Sequence, residues 1–169
     1  MATICGRAPG HVILAGMAFD TSDVPAGVMA SIGYEGRNLD EFLQVLVDND
    51  IGVLVDVRMT PMSRKRGFSK RLLAEALAGR GIGYRHVPEL GNPKELRSAF
   101  HTGAVESARR RYLAHINDGS REAYESVVEL ARTTRIALLC LEADERRCHR
   151  GCIVDQALDE HPDLAVLPL

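Results

Sequence analysis

The stretch IALLCLEADERRCHRGC, which runs from Ile136 to Cys152, decides the fold class of this chain. It begins with a continuous apolar run, which is typical of a strand buried in a parallel sheet. Three acids follow, and then arginines, cysteines and a histidine in a segment that we expect to be helical, with Asp144 as its N-cap. Reactive side chains therefore cluster where a strand passes into a helix, which is where open α/β sheets bind their ligands.

The composition is that of one soluble globular domain. The chain has 169 residues, 46% of them hydrophobic and 26% charged, and its net charge of −2 gives no overall attraction for nucleic acid or membrane. Three of its four cysteines fall between positions 140 and 152. This clustering favours a reducing compartment, the cytoplasm, and a chemical role over disulfides. No apolar run approaches the ~18 residues of a membrane span, so we expect no membrane partner.

Strand and helix patterns alternate along the chain. Strands are predicted near 31–34, 51–57, 82–87, 136–141 and 164–167, with helices starting near 38, 69, 92, 104 and 121 and a last one ending near 159. This order predicts a single α/β domain over residues 30–169, with a mostly parallel sheet of about five strands and helices on both faces. Residues 1–29, which include Cys5, are interpreted as an N-terminal extension.

A parallel sheet brings the residues that follow its strands to one edge. Polar residues follow four of the predicted strands, so we expect one crevice lined by acids, arginines, a histidine and a cysteine. Side chains there are placed to move a proton or attack a substrate. The candidate catalytic residues are Glu35, Glu89, Glu142, Cys140 and His86.

The loop after the second predicted strand is basic, and it lies at the same predicted crevice. Phe68 interrupts its cations with a ring that can stack on a base. The candidate ligand-binding residues are Tyr34, Arg37, Arg58, Arg64, Phe68, Cys148, His149 and Arg150, of which Arg58, Arg64 and Arg150 would hold phosphate. For Asp56 and Arg58 we expect an ion pair that fixes the arginine, and we expect His149 to be exposed.

The cysteines admit several interpretations. Cys140 and Arg146 match the spacing of a cysteine phosphatase loop, but the intervening acids would repel phosphate and raise the pKa of the thiol. A rhodanese-like sulfur transferase and a buried structural cysteine are the alternatives. Cys148 and Cys152, with His149 or Cys140, would suit zinc. Both cysteines, however, are predicted opposite the apolar face of their helix, so we expect neither a metal nor another cofactor.

Several motifs together resemble one family. Ile32-Gly-Tyr-Glu-Gly36, Leu54-Val-Asp-Val-Arg58, the basic loop to Phe68, Pro88-Glu-Leu-Gly91, and Cys140-x-Glu142 with Cys148-His-Arg150 resemble the "domain of unknown function 488" family from about residue 30 to 160. The resemblance implies a cytosolic, single-domain, Rossmann-like protein and no particular reaction. Residues 1–29 and Cys152 lie outside the family pattern.

Acids beside arginines at one crevice indicate chemistry on an anionic substrate. We therefore expect an enzyme that acts on a nucleotide or nucleic acid, of the hydrolase or glycosyl-transfer type. The alternative is a non-catalytic module that binds an anionic small molecule or nucleic acid with the same crevice. A pure anion-binding module has no use for acids that face the ligand, which is the feature that separates the two hypotheses.

Overall fold

Five parallel strands form the central sheet of the computed structural model, which describes residues 11–14, 17–20, 27–102 and 104–169. β1 (His11–Leu14) and β2 (Met17–Asp20) pair with each other in an antiparallel arrangement, apart from that sheet. The sheet has the order β5-β4-β6-β3-β7. Its strands are β3 (Val28–Gly33), β4 (Val53–Asp56), β5 (Gly83–His86), β6 (Ile136–Cys140) and β7 (Ala165–Pro168). The predicted α/β fold is confirmed.

Helices cover both faces of the sheet and bury one hydrophobic core on each. The helices α1 (Leu39–Asp48) and α2 (Lys70–Ala78) pack on one face. The other face carries α4 (Val105–Gly119), α5 (Arg121–Thr133) and α6 (Arg150–Glu160), with the short α3 (Lys94–Arg97) before α4. Because β6 is apolar on both sides, it is buried along its whole length between the two cores. Among the described residues no helix is long and apolar enough to cross a membrane.

The predicted starts of α1 and α2 are right in position, whereas the predicted start of the last helix after Asp144 is wrong. Asn38 and Glu41 form the expected capping box of α1, with reciprocal side-chain bonds of 2.9 and 2.8 Å. Ser69 stands at the N-cap of α2, but its hydroxyl bonds to the backbone of Ser63 and so braces the basic loop. Asp144 caps a 3₁₀ turn over Glu145–Arg147 instead of α6, which begins only at Arg150.

The N-terminal boundary of the domain lies slightly before the predicted one. Val28 and Met29 are buried residues of β3, and Val28 pairs with Ala165 of β7. The predicted limit at residue 30 is therefore two residues late. Most of the predicted extension, including Cys5, lies outside the described residues.

The order of the strands creates a crevice at one place on the sheet edge. β3 and β4 both lead into helices on the α1 and α2 face, whereas β6, which lies between them, leads towards α6 on the opposite face. The connections therefore diverge on either side of β6, as they do at ligand sites of open α/β sheets. Gly33 lets the loop after β6 close over β3, because a Cβ there would lie 1.9 Å from the carbonyl oxygen of Glu142.

Candidate functional site

A cavity of about 240 Å³ lies at the carboxyl ends of β3, β4 and β6. Five of the site residues predicted from the sequence line this cavity, although they follow strands that are far apart in the chain. These are Tyr34, Arg58, Cys140, Glu142 and His149. The expectation that Arg58 and Glu142 line one pocket agrees with this geometry.

Asp56 and Arg58 form the expected ion pair beneath this cavity. The carboxylate of Asp56 receives two bonds from the guanidinium, of 2.8 Å from Nε and 2.6 Å from Nη2, and a third of 2.6 Å from the Tyr84 hydroxyl. Nη1 of Arg58 donates to the carbonyl of Phe68 at 2.9 Å. Burial would lower the pKa of Arg58, but Asp56 outweighs it and raises that pKa. The pair is buried and well satisfied.

These bonds leave Arg58 little to offer a ligand. A guanidinium has five N–H groups, and Asp56, Phe68 and the Tyr34 hydroxyl take four of them. One N–H on Nη2 remains. Arg58 therefore contributes a positive potential and at most one hydrogen bond, less than the phosphate clamp that the sequence suggests.

Phe68 belongs to the core, so its proposed stacking on a base is wrong. Its ring has no exposed surface. It stacks on Tyr34 with centroids 4.5 Å apart and meets Phe42 edge-on at 5.3 Å. The basic loop folds inward at this residue because three aromatic rings bury more apolar surface together than one exposed ring would.

At the wall of the cavity, Cys140, Cys148 and His149 form a compact buried cluster. One ligand atom of each residue lies within 4.8 Å of the other two. The Sγ of Cys148 lies 3.4 Å from Nδ1 of His149, whose Nε2 lies 3.1 Å from the carbonyl oxygen of Val57. The prediction that His149 is exposed is wrong, since only 2% of its surface is accessible.

The two thiols of this cluster differ in acidity. Hydrogen bonding to Cys148, together with burial, raises the pKa of Cys140 well above its usual value, so an unreactive Cys140 remains the expectation. Burial opposes ionisation of Cys148 as well. There, however, the bond from Cys140 and the proximity of His149 and Arg150 prevail and lower the pKa. Cys148 is therefore the more readily ionised sulfur.

Glu142 presents an acidic group to the cavity. Its side chain is 24% exposed, and its Oε2 is buried without a hydrogen-bond partner among the described residues. Oε1 lies 3.8 Å from Nε2 of His101. Burial, and next the charge of Cys148, raise the pKa of Glu142 above its usual value. A carboxyl group with a free buried oxygen is the kind of acid or base that the sequence predicts here.

Arg150 is not placed to hold phosphate from solvent, as the sequence suggests. Its residue surface is wholly buried, and its guanidinium donates to Ser31 Oγ at 3.1 Å and to the carbonyl oxygen of Glu142. Its Nε has no partner, and within residues 27–102 and 104–169 no carboxylate forms a salt bridge with it. Arg150 is instead a buried positive charge that braces the loop after β6.

His86 and Glu89 lie away from the crevice, in a second depression beside α5. β5 is the edge strand, separated from β6 by β4, so its end faces a different part of the surface. Nε2 of His86 donates to the carbonyl oxygen of Arg58 at 2.9 Å, and Nδ1 of His86 lies 3.3 Å from Lys70 Nζ. The expectation of one crevice that contains all four strand ends is therefore wrong for β5.

Three further candidates lie outside the lining of the cavity: Glu35, Arg37 and Arg64. Glu35 is exposed, and its carboxylate accepts from the backbone N–H of Ala143 at 3.1 Å, which holds the loop after β6. Arg64 is exposed on the basic loop. These residues are placed to support the site or to meet a ligand at its surface.

The cavity also contains residues that the sequence analysis missed. They are Met59, Thr60, Met62, Asn92, Arg97 and Leu141. Met59, Thr60 and Met62 come soon after the end of β4, a strand end already predicted to line the site. Their position in the chain could therefore have identified them. Asn92 and Arg97 reach the cavity from the α3 region, and Arg97 is fixed by a 3.1 Å bond to the carbonyl of Asn92. No local pattern identifies them.

Cys148 and Cys152 do not lie where the sequence pattern predicted, so the reason for expecting no metal does not hold. Cys148 precedes α6, and Cys152 is a fully buried residue of the core beside Ile153 and Val154. Neither cysteine lies on a solvent face opposite the apolar residues. Burial raises the pKa of Cys152 to about 12, so it is an inert core thiol. The cysteines that meet are Cys140 and Cys148.

The doubly wound sheet with a cavity at its strand ends defines an α/β protein of the Rossmann-like class. The family described as "Domain of unknown function DUF488" matches residues 38–157, and the chain belongs to that family. The resemblance noted in the sequence is thereby confirmed. No curated protein and no solved structure matches the chain.

Proposed function

We propose that the protein is an enzyme that acts on a nucleotide or nucleic-acid substrate, by hydrolysis or glycosyl transfer, with Glu142 as its general acid or base. The observation that carries this proposal is the buried oxygen of Glu142, which has no partner among the described residues and lies in a cavity shared with Arg58 and Arg97. A buried polar atom without a partner is costly, so a water, an ion or a substrate group is expected to meet it. A reacting group of the substrate would supply the missing partner.

The positive charges around the cavity support an anionic substrate. Arg97 is exposed beside the cavity, and the loop that contributes Met59, Thr60 and Met62 also carries the exposed cations Arg64 and Arg66. Charge-assisted bonds from such groups are about twice as strong as neutral ones. The net charge of the chain is negative, so this attraction is local to the crevice.

The size of the cavity favours a substrate that enters it only in part. Its volume of about 240 Å³ is below the roughly 300–1,000 Å³ of pockets that enclose a whole drug-sized ligand. A sugar or base with its reacting bond would fill it, while phosphates remain outside against the arginines. Cys140, Cys148 and Cys152 are free thiols, which supports a cytoplasmic location for this activity.

Exchange of Glu142 for glutamine separates catalysis from binding. Glu142→Gln keeps the size of the side chain and removes its acidity, so turnover of any substrate found in a nucleotide and oligonucleotide panel should fall by roughly 10²–10⁴-fold. Affinity and melting temperature should change little, because the ion pair that the described residues give this carboxylate is only the long, partly exposed contact of 3.8 Å with His101. Arg97→Ala should weaken affinity about 10–100-fold while sparing turnover at saturation.

The matched control is Glu89→Gln, which makes the same exchange in the separate depression beside β5. It should leave turnover and affinity at the parent level. Binding by the parent protein without any turnover would favour the non-catalytic module instead. An equal loss of turnover in the Glu89 and Glu142 variants would refute the assignment of the acid to this cavity.

A further inference from the structure

The cluster of Cys140, Cys148 and His149 has the dimensions of a metal site. In a tetrahedral zinc site, bonds of about 2.3 Å to sulfur and 2.0–2.1 Å to nitrogen place the ligand atoms about 3.5–3.8 Å apart. Here the Sγ of Cys148 and the Nδ1 of His149 are 3.4 Å apart, and all three ligand atoms fall within 4.8 Å of one another. Small side-chain rotations would bring the three ligand atoms to the separations that a bound zinc ion requires.

The histidine of the cluster is held in the tautomer that a metal requires. The carbonyl oxygen of Val57 can only accept a hydrogen bond, so the contact of 3.1 Å places the proton of His149 on Nε2. The lone pair of Nδ1 then faces Cys148. A bond from the second ring nitrogen to a backbone carbonyl is the usual way in which proteins orient a metal-binding histidine.

The charges around the cluster also suit a cation. A divalent ion would neutralise the two thiols of the cluster in their ionised form. Two ionised sulfurs buried side by side without a cation would be costly, so a bound ion would allow both to act as ligands in this buried region.

We propose that Cys140, Cys148 and His149 bind one zinc ion or a similar thiolate-preferring divalent cation, with its fourth coordination position open to the crevice. Cys140, His149 and Glu142 all line the cavity, so a water molecule in that position would lie beside the unpartnered oxygen of Glu142. Three protein ligands and one open position are the arrangement of catalytic zinc sites, whereas structural sites are closed by four. The metal site itself goes beyond the proposed enzymatic function and does not depend on it.

Metal content and cobalt absorption of the full chain test this site without any substrate. The chain, purified under reducing conditions, should bind about one zinc per chain, and cobalt should give the charge-transfer absorption of thiolate coordination. Cys140→Ala and Cys148→Ala should bind zinc at least about 100-fold more weakly, since even the loss of a residue that only orients a metal ligand weakens metal binding 10–100-fold. The matched control is Cys152→Ala, a buried cysteine in the adjacent core, which should retain the parent affinity and spectrum.

A measurement on the parent protein covers the case in which a cysteine variant fails to fold. Zinc at about 1,000 times its dissociation constant should raise the melting temperature by roughly 8–16 °C over the chelator-treated chain. No thiolate absorption with cobalt, or no thermal shift, would overturn the proposal. So would parent-like metal binding by Cys148→Ala, or equal losses in the Cys148 and Cys152 variants. A disulfide between Cys140 and Cys148 that forms in the presence of reductant would count against it as well.

Discussion

Two polar clusters lie side by side at the same sheet edge, and they differ in how fully their groups are satisfied. Asp56, Arg58 and Tyr84 at the end of β4 form a closed network in which the carboxylate accepts three short bonds. In the neighbouring cluster after β6, one oxygen of Glu142 and Nε of Arg150 have no partner among the described residues. A satisfied network stabilises a fold, whereas buried polar groups without a protein partner require another explanation, such as a water, an ion or a ligand.

The largest expected effect comes from breaking the closed network. Asp56→Asn should leave the buried Arg58 unpaired and lower the free energy of unfolding by about 3–5 kcal/mol. For a chain of this length the melting temperature should fall by roughly 6–20 °C, measured by thermal unfolding.

Asp155→Asn is the control for this change, because Asp155 pairs with Arg109 in an exposed setting. Its effect should stay below about 1 kcal/mol. If Asp56→Asn lowers the free energy of unfolding by an equally small amount, the network of Asp56, Arg58 and Tyr84 does not stabilise the fold. The proposed difference between the two clusters would then be wrong.

A smaller effect is expected for Tyr84→Phe. The change removes the 2.6 Å bond from the phenol to Asp56, but the same oxygen keeps its bond to Arg58. The free energy of unfolding should therefore fall by about 1.5 kcal/mol, the lower end for bonds to a charged group. Urea unfolding measures it.

Tyr124→Phe provides the comparison for Tyr84→Phe, since the buried hydroxyl of Tyr124 has no hydrogen-bond partner in the part of the chain that the structure describes. Its removal should be neutral or slightly stabilising. If both variants lose stability equally, the loss in Tyr84→Phe reflects tyrosine packing and not the hydrogen bond to Asp56.

The smallest effect is expected at an ion pair in solvent. Arg121 links α5 to α6 through Glu160 at 2.8 Å, and this bond lowers the pKa of Glu160 below its usual 4.5. The pair therefore stabilises the fold above pH 4.5 and loses that contribution as the pH falls through the lowered value. Because the groups are partly exposed, the contribution should not exceed about 1 kcal/mol.

Urea unfolding of Glu160→Gln between pH 3 and pH 7 tests this sign. The stability of the variant should approach that of the parent at the acidic end and lie below it at neutral pH. A difference that grows as the pH falls would contradict the linkage. An effect as large as that of Asp56→Asn would remove the distinction between buried and exposed pairs.

Local patterns allowed the fold to be predicted from the sequence. The apolar run from Ile136, the capping box at Asn38 and the amphipathic face of α1 depend on residues a few positions apart, so each could be interpreted alone. The parallel sheet followed from the order of those elements. Topology then placed Tyr34, Arg58 and Glu142 together, because residues after parallel strands share an edge.

The environment of each side chain was decided only by tertiary packing. Phe68 has a cation two positions away on each side, Arg66 and Lys70, yet it is buried against Tyr34. His149 lies between Arg147 and Arg150 in the sequence, yet it bonds to Val57, 92 residues earlier. The separation of Glu89 from Glu142 depends on the order of the strands in the sheet, since β5 is an edge strand. Burial and partners arise from contacts between distant segments, and no short window of sequence contains both members of such a contact.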